Sequence, residues 1–338
     1  MDESLADKVL RGEGINRSTG LFKSKTANEW IEEAEKQPIP NMLYGQLWHE
    51  GELCFLFADT NVGKSILAVQ IANAISKGES HFVFKMEAAK QKVLYLDFEL
   101  SAKQFQNRYS KDYQNSYHFD ENFIRLEIDT DCTDIMDFES NLSQSIERAI
   151  IEQDAKVIII DNITYLKTQS TDTAKEALPL LKMLIDLKKR FHVSILALAH
   201  TPKRDQSKPI TVNDLAGSKH FSNFADSIFS IGQSSKETRL RYIKQIKTRA
   251  TEKIYDSDNV IACEIDKPYN FLGFNFIGFD SERTHLKELS DKEKGELDSL
   301  IIQTYTDNPN LSYNEIGDMC GTYGKKVNRV IAKYKSKS

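Results

Sequence analysis

Hydrophobic and polar positions along the chain fall into two recurring patterns. Short, nearly unbroken apolar runs at 53–57, 93–96, 157–160 and 193–199 each give way to polar or acidic residues, as parallel strands buried on both faces do. Between them, apolar residues recur at helical spacing over 66–75, about 137–153 and about 175–190. Strands alternating with helices predict an α/β domain with a mainly parallel central sheet. A further strand is expected at 226–231. Residues 240–249 instead alternate as an antiparallel strand, and 259–279 read as two more strands turning near Tyr269 and Asn270.

Both ends of the chain depart from that rhythm. Residues 1–26 are polar, with Gly12, Gly14 and Gly20, and predict an arm; 29–34 predicts a short helix stopped by Pro38 and Pro40. From 290 onward the pattern becomes three short helices, 291–306, 312–320 and 325–334, with a Gly-containing turn before the last, which fits a small helix-turn-helix-like module. The expected organisation is an N-terminal arm and helix over 1–44, an α/β core over 45–280, a polar linker over 281–289 and the helical module over 290–338.

Composition narrows the classes. The 338 residues carry 45 Lys and Arg against 50 Asp and Glu, a net charge of −5, so any nucleic-acid contact must be local. Cys54, Cys132, Cys263 and Cys320 stand far apart, which argues against a zinc site or a disulfide framework. No leader pattern opens the sequence and no run of about eighteen apolar residues occurs, so the expectation is a cytoplasmic protein with no membrane partner.

The chemistry concentrates where the first apolar run meets the first helix. Ala58-Asp59-Thr60-Asn61-Val62-Gly63-Lys64-Ser65-Ile66 stands between a strand and a helix, where successive N–H groups and the helix N-terminus face an anion. Lys64 then reaches the β- and γ-phosphates of ATP, and the Ser65 hydroxyl holds Mg2+. The plainer alternative is an ordinary strand-to-helix turn. Asp97 and Glu99 close the second run at a strand's C-terminal end; Glu99 is the candidate base that polarises the attacking water, against a solvated carboxylate before a helix. Asp161, closing four branched apolar residues, is the candidate second magnesium ligand. His200 ends the fourth run as a candidate γ-phosphate sensor, or a structural histidine. Lys247 and Arg249 share a strand face and are candidates to reach the ATP of an adjacent subunit, against solvated edge charges. The last helix shows Lys325, Lys326, Arg329 and Lys333 on a basic face suited to a nucleic-acid groove or phosphates; a protein-contact role is equally open.

With these residues in place, residues 30–279 resemble the RecA-fold ATPases, and most of all the hexameric replicative helicases of the plasmid RepA type and their mobile-element relatives. The points of similarity are the Gly63-Lys64-Ser65 loop, Tyr95-Leu96-Asp97-Phe98-Glu99-Leu100-Ser101, Asp161, and the sequence around His200; Lys247-Thr248-Arg249 is similar to the Lys-x-Arg of DnaB-like helicases. The resemblance implies a RecA-like core, a homo-hexamer with ATP at its subunit interfaces, and loops at 164–173 and 202–214 facing single-stranded DNA with Lys167, Lys203, Arg204 and Lys208. It also implies replication or mobilisation proteins as partners. The rival is a DNA-bound regulatory or loading ATPase that switches on ATP without translocating. Ala58, where the family has Gly, and the C-terminal module are departures from the pattern.

Overall fold

The apolar runs form strands where their pattern predicts them. The computed structural model describes residues 18–19, 22–129, 138–166, 174–202, 204–216, 218–288 and 291–336. Within these, the chain runs β1 (Leu53–Ala58), α1 (Lys64–Lys77), β2 (Val93–Asp97), α2 (Ala102–Arg108), β3 (Phe123–Leu126), α3 (Phe138–Gln153), β4 (Val157–Asp161), α4 (Ala174–Phe191), β5 (Ser194–His200), α5 (Ser218–Phe224), β6 (Ser227–Gln233), β7 (Leu240–Lys247), β8 (Val260–Asp266) and β9 (Gly273–Asp280). One sheet takes all nine strands in the order β9-β8-β7-β6-β1-β5-β4-β2-β3. From β6 to β3 the neighbours are parallel, whereas β7, β8 and β9 extend the sheet as antiparallel strands.

Alternation within each strand divides the core into two layers. In β1, Cys54, Leu56 and Ala58 pack in one cluster with Leu67, Ile71 and Ile75 of α1. Leu53, Phe55 and Phe57 pack in the other with Ile146 and Ile150 of α3, and with Leu181, Leu184 and Leu187 of α4. Both faces are covered, which is why these strands carry no polar alternation. The short edge strand β3, only half-buried, lies outside the sequence expectations; four residues with Arg125 among them carry too little pattern to announce a strand.

The chain divides into two units, Met1–Pro40 and Asn41–Ser338. In the first, Ser18–Thr19 pairs antiparallel with Phe22–Lys23, and a helix over Ala27–Ala34 starts at a capping box between Thr26 and Glu29. Of the expected arm at 1–26, residues 1–17, 20 and 21 lie outside the described residues. In the second unit Leu43 and Tyr44 are already buried in the layer that holds α1, so the core takes up the chain slightly before residue 45.

The three C-terminal helices are α6 (Asp291–Asp307), α7 (Tyr313–Cys320) and α8 (Gly324–Lys335). They enclose their own small core of Ile301, Ile316, Cys320, Val327, Val330 and Ile331. A Ser312–Glu315 capping box starts α7, and Gly321 ends it at φ 63°, the left-handed conformation glycine adopts at no steric cost. The segment before this module is not the loose polar linker its composition predicts. Glu282 and His285 are buried, and Glu282 is well partnered: it accepts from Lys244 Nζ at 2.6 Å, Ile210 N at 2.7 Å and Ser257 Oγ at 2.9 Å, while His285 meets Ser234 Oγ through Nδ1 at 2.9 Å. Among the described residues no helix is long and apolar enough to cross a membrane.

Candidate active site

Parallel register lines up the carboxyl ends of the central strands. Ala58 pairs with His200 across β1 and β5, and Asp97 pairs with Asp161 across β2 and β4. Open α/β sheets bind ligands outside these ends. The loop from Asp59 to Gly63 crosses that edge and delivers the N-terminus of α1, whose first N–H groups have no partner within the helix. Gly63 sits at φ 112°, and a Cβ there would lie 2.9 Å from a Phe274 ring carbon, so the position excludes a side chain on both counts. Ala58 is the last residue of β1 and tolerates its methyl, since the backbone is extended strand at that point.

Lys64 is buried, with Nζ donating to Ala58 O at 2.9 Å and Asp59 O at 3.1 Å. Burial lowers its pKa; Asp161, Glu99 and Asp59 oppose that and favour the cation. Asp161 is almost wholly buried, accepts from Tyr95 Oη at 2.6 Å and contacts the Ser65 hydroxyl. Burial raises its pKa to about 6, against the effect of those two hydrogen bonds. The Asp161–Asn162 peptide is cis. Among the described residues no cluster of three or more His, Cys, Asp or Glu could hold a metal. A Ser hydroxyl beside one carboxylate nevertheless fits Mg2+, which takes few protein ligands and fills its octahedron with phosphate oxygens and water.

The two carboxylates after β2 have separate surroundings. Asp97 is buried and saturated: Oδ2 accepts from Arg125 Nε at 2.8 Å, and Oδ1 from the backbone N–H groups of Leu100 at 2.9 Å and Glu99 at 3.2 Å. Glu99 keeps 32% of its side chain exposed. His200, with Nε2 at 3.5 Å, and then the Asn162 amide hold its pKa below the ordinary carboxylate value, so it is ionised at neutral pH. Asn162 is the residue the sequence reading passed over. It is buried; Nδ2 donates to Glu99 Oε1 at 2.8 Å and lies against His200 Nε2, while Oδ1 accepts from Thr164 N at 2.9 Å and Thr164 Oγ1 at 2.7 Å. One side chain thus joins the ends of β2, β4 and β5. The only signal in the sequence is a polar residue following the strand-ending Asp161.

The remaining candidates spread over the molecule. Arg241, also passed over, begins β7 at the loop end of the sheet and donates from Nε to Val62 O at 2.9 Å. Lys247 pairs with Ile228, whereas Ala58 stands level with Ile231, so Lys247 lies about 10 Å back along the strands, away from its own Lys64. The strand ends at Lys247, and Arg249 follows in a bend. Both cations turn to the C-terminal end of α5: Lys247 Nζ donates to Ala225 O at 2.7 Å and also to Ser222 O, and Arg249 to Asn223 O at 2.6 Å and Asp226 Oδ1 at 3.3 Å. Arg204 does not project outward as the loop charge pattern predicts. Its side chain is 7% exposed and pairs with Asp59 of the phosphate loop at 3.4 Å, and Nη1 donates to Lys208 O. Lys208 is exposed, with its side chain lying against Gly321 of the helical module. Lys167 and Lys203 lie outside the described residues. Lys325 and Arg329 are exposed on α8, and Lys326 pairs with Asp298 at 3.6 Å.

A mainly parallel sheet with this loop at the end of its central strand, and carboxylates at the ends of β2 and β4, defines a P-loop ATPase with a RecA-like core. Residues 22–206, more than half of the chain, match the AAA domain family, and the chain belongs to that family. No curated protein matches the sequence. Among solved structures, a KaiC-like protein from the hyperthermophilic archaeon Pyrococcus horikoshii is similar at 15% identity, with a TM-score of 0.42, over 67% of this chain and 90% of that one.

Proposed function

We propose that this ATPase is a magnesium-dependent motor, a homo-hexamer of the DnaB and RepA type that moves along single-stranded DNA in replication or transfer of a plasmid or mobile element. Loop N–H groups and Lys64 bind the triphosphate, and Glu99 accepts the proton of the attacking water. Ser65 and Asp161 would hold the magnesium ion, which supplies charge neutralisation at the β- and γ-phosphates. Asn162 and His200 position Glu99 and tie it to the starts of the two loops, 164–173 and 202–214, that track DNA.

The observation that carries the ring is the division of cations along β7. Arg241, at the loop end, already serves its own phosphate loop, while Lys247 at the far end and Arg249 just beyond it lie away from their own Lys64, so that a neighbouring subunit's nucleotide is the phosphate they would serve on leaving the carbonyls near the end of α5. The buried segment around Glu282, which ties the helical module to the core, favours the alternative of a regulatory or loading ATPase that switches on ATP. Negative-stain imaging with ATP and single-stranded DNA separates the two. Rings with a filled channel support the motor; monomers or dimers under these conditions refute it and leave the switch.

A further inference from the structure

Between the core and the helical module lies an open cleft of about 1020 Å3. Its cations come from separate parts of the chain: Lys208 after β5, Arg283 and Lys287 after β9, and Lys325, Lys326 and Arg329 on α8. Among the described lining residues seven are Lys or Arg and four are Asp or Glu, in a protein whose net charge is −5. Positive charge is therefore gathered here against the overall balance. A small-molecule site of this size carries only a few charged groups, and this one has eleven among its described lining residues.

The basic side of α8 shares the cleft with core residues. A helix that reads duplex DNA enters a major groove about 12 Å wide with that side free, so this arrangement does not suit a duplex. Tyr323 adds an aromatic ring to the same wall, and its hydroxyl is buried without a hydrogen-bond partner among the described residues. Cations that follow a backbone, with an aromatic ring among them for a base to stack on, are the combination that holds single strands; an acidic peptide would use only the charges.

The geometry points to a groove for single-stranded nucleic acid between the core and the helical module, in which Arg283, Lys287 and Arg329 contact phosphates and Tyr323 stacks on a base. This deepens the motor proposal and rests on its claim that single-stranded DNA is the track. Arg283, Lys287 and Arg329 are all exposed, so replacing them together with Ala leaves both hydrophobic cores intact.

The test measures anisotropy of a fluorescein-labelled oligo-dT against the full chain over a salt series. At about 0.7 per phosphate for single strands, the triple variant should lose roughly 2 from the slope of log K on log salt and about 100-fold in affinity at 0.1 M salt. Lys333→Ala, on the same helix but outside the cleft, should change little. Ultraviolet cross-linking of a bromouracil oligonucleotide should map to Tyr323 or its neighbours. Wild-type binding that the triple variant retains with the same slope overturns the groove and leaves the motor standing. Wild-type protein that binds no single strand overturns the motor proposal and the groove with it. Polyglutamate that binds through the same three cations and is not displaced by oligo-dT makes the cleft a peptide site and overturns the assignment.

Discussion

Replacing Glu99 with Gln and, separately, Asp97 with Asn should split catalysis from stability at the end of β2. Glu99 is about one-third exposed, beside Lys64 and backed by Asn162 and His200, and its amide analogue keeps the hydrogen-bond acceptor while losing the ability to take a proton. A positioned general base is worth about 10²–10⁴ in rate, or roughly 3–5 kcal/mol of barrier. Glu99→Gln should lose turnover by that factor and keep nucleotide affinity within a few-fold. Asp97 is buried, and its carboxylate is used up by Arg125 and two backbone N–H groups. Asparagine keeps the acceptor for the N–H groups and loses the charge opposite Arg125, whose side chain is 18% exposed. A hydrogen bond to a charged group contributes about 1.5–3 kcal/mol, so the loss is about 2 kcal/mol. For a unit of this size, Asn41–Ser338, that lowers Tm by roughly 3 °C. The measurements are phosphate release under saturating ATP, binding of a fluorescent ATP analogue, and thermal unfolding followed by circular dichroism. Full turnover by Glu99→Gln, or an Asp97→Asn variant that loses turnover with unchanged Tm, would refute the division of labour and move the base to Asp97.

Three further outcomes are expected. Lys64→Ala should abolish detectable binding of the ATP analogue, because the cation that Asp161 and Glu99 face is gone; binding within a few-fold of wild type would count against the phosphate loop. Arg249→Ala should bind ATP but lose turnover by about 10³-fold, and mixing it with Lys64→Ala should restore part of the activity if the cations act between subunits; a mixture that stays inactive while native electrophoresis shows mixed assemblies would remove the trans site. His285 stacks on Tyr242, meets Ser234 Oγ through Nδ1, and is faced by Lys236, Asp280 and Glu282; burial, the largest cause, lowers its pKa below 6.5. The unfolded chain then binds that proton more tightly, so stability is lost as pH falls from about 6.5 through the lower folded value, and His285→Gln should flatten the fall in urea midpoint between pH 7 and 5.5. An unchanged profile would show that His285 is not its source.

What could be read without the structure is what is encoded within one or two turns or strands of chain. The phosphate loop needs only a buried strand, a glycine and a helix start in succession, and its bounds and the strand-ending Asp97 and Asp161 were visible in the apolar runs. The C-terminal helices were equally legible, since capping at Ser312 and the stop at Gly321 are local. Tertiary structure decided the rest, because it depends on which distant segments become neighbours. Asn162 looks like any polar residue after a strand until parallel register sets β2 and β5 on either side of it. Arg204 belongs to a basic loop by sequence, yet Asp59, far away in the chain, draws it inward. Segment 281–289 reads as a linker by polarity, but Lys244, Ile210 and Ser257 satisfy Glu282 and let it be buried. The side on which α8 carries its cations is fixed by helical periodicity, whereas what that side faces is set by how the module packs on the core. Local pattern determined the elements and the phosphate loop; long-range pairing of polar groups determined which carboxylate is open, which cations are free and where the basic cleft lies.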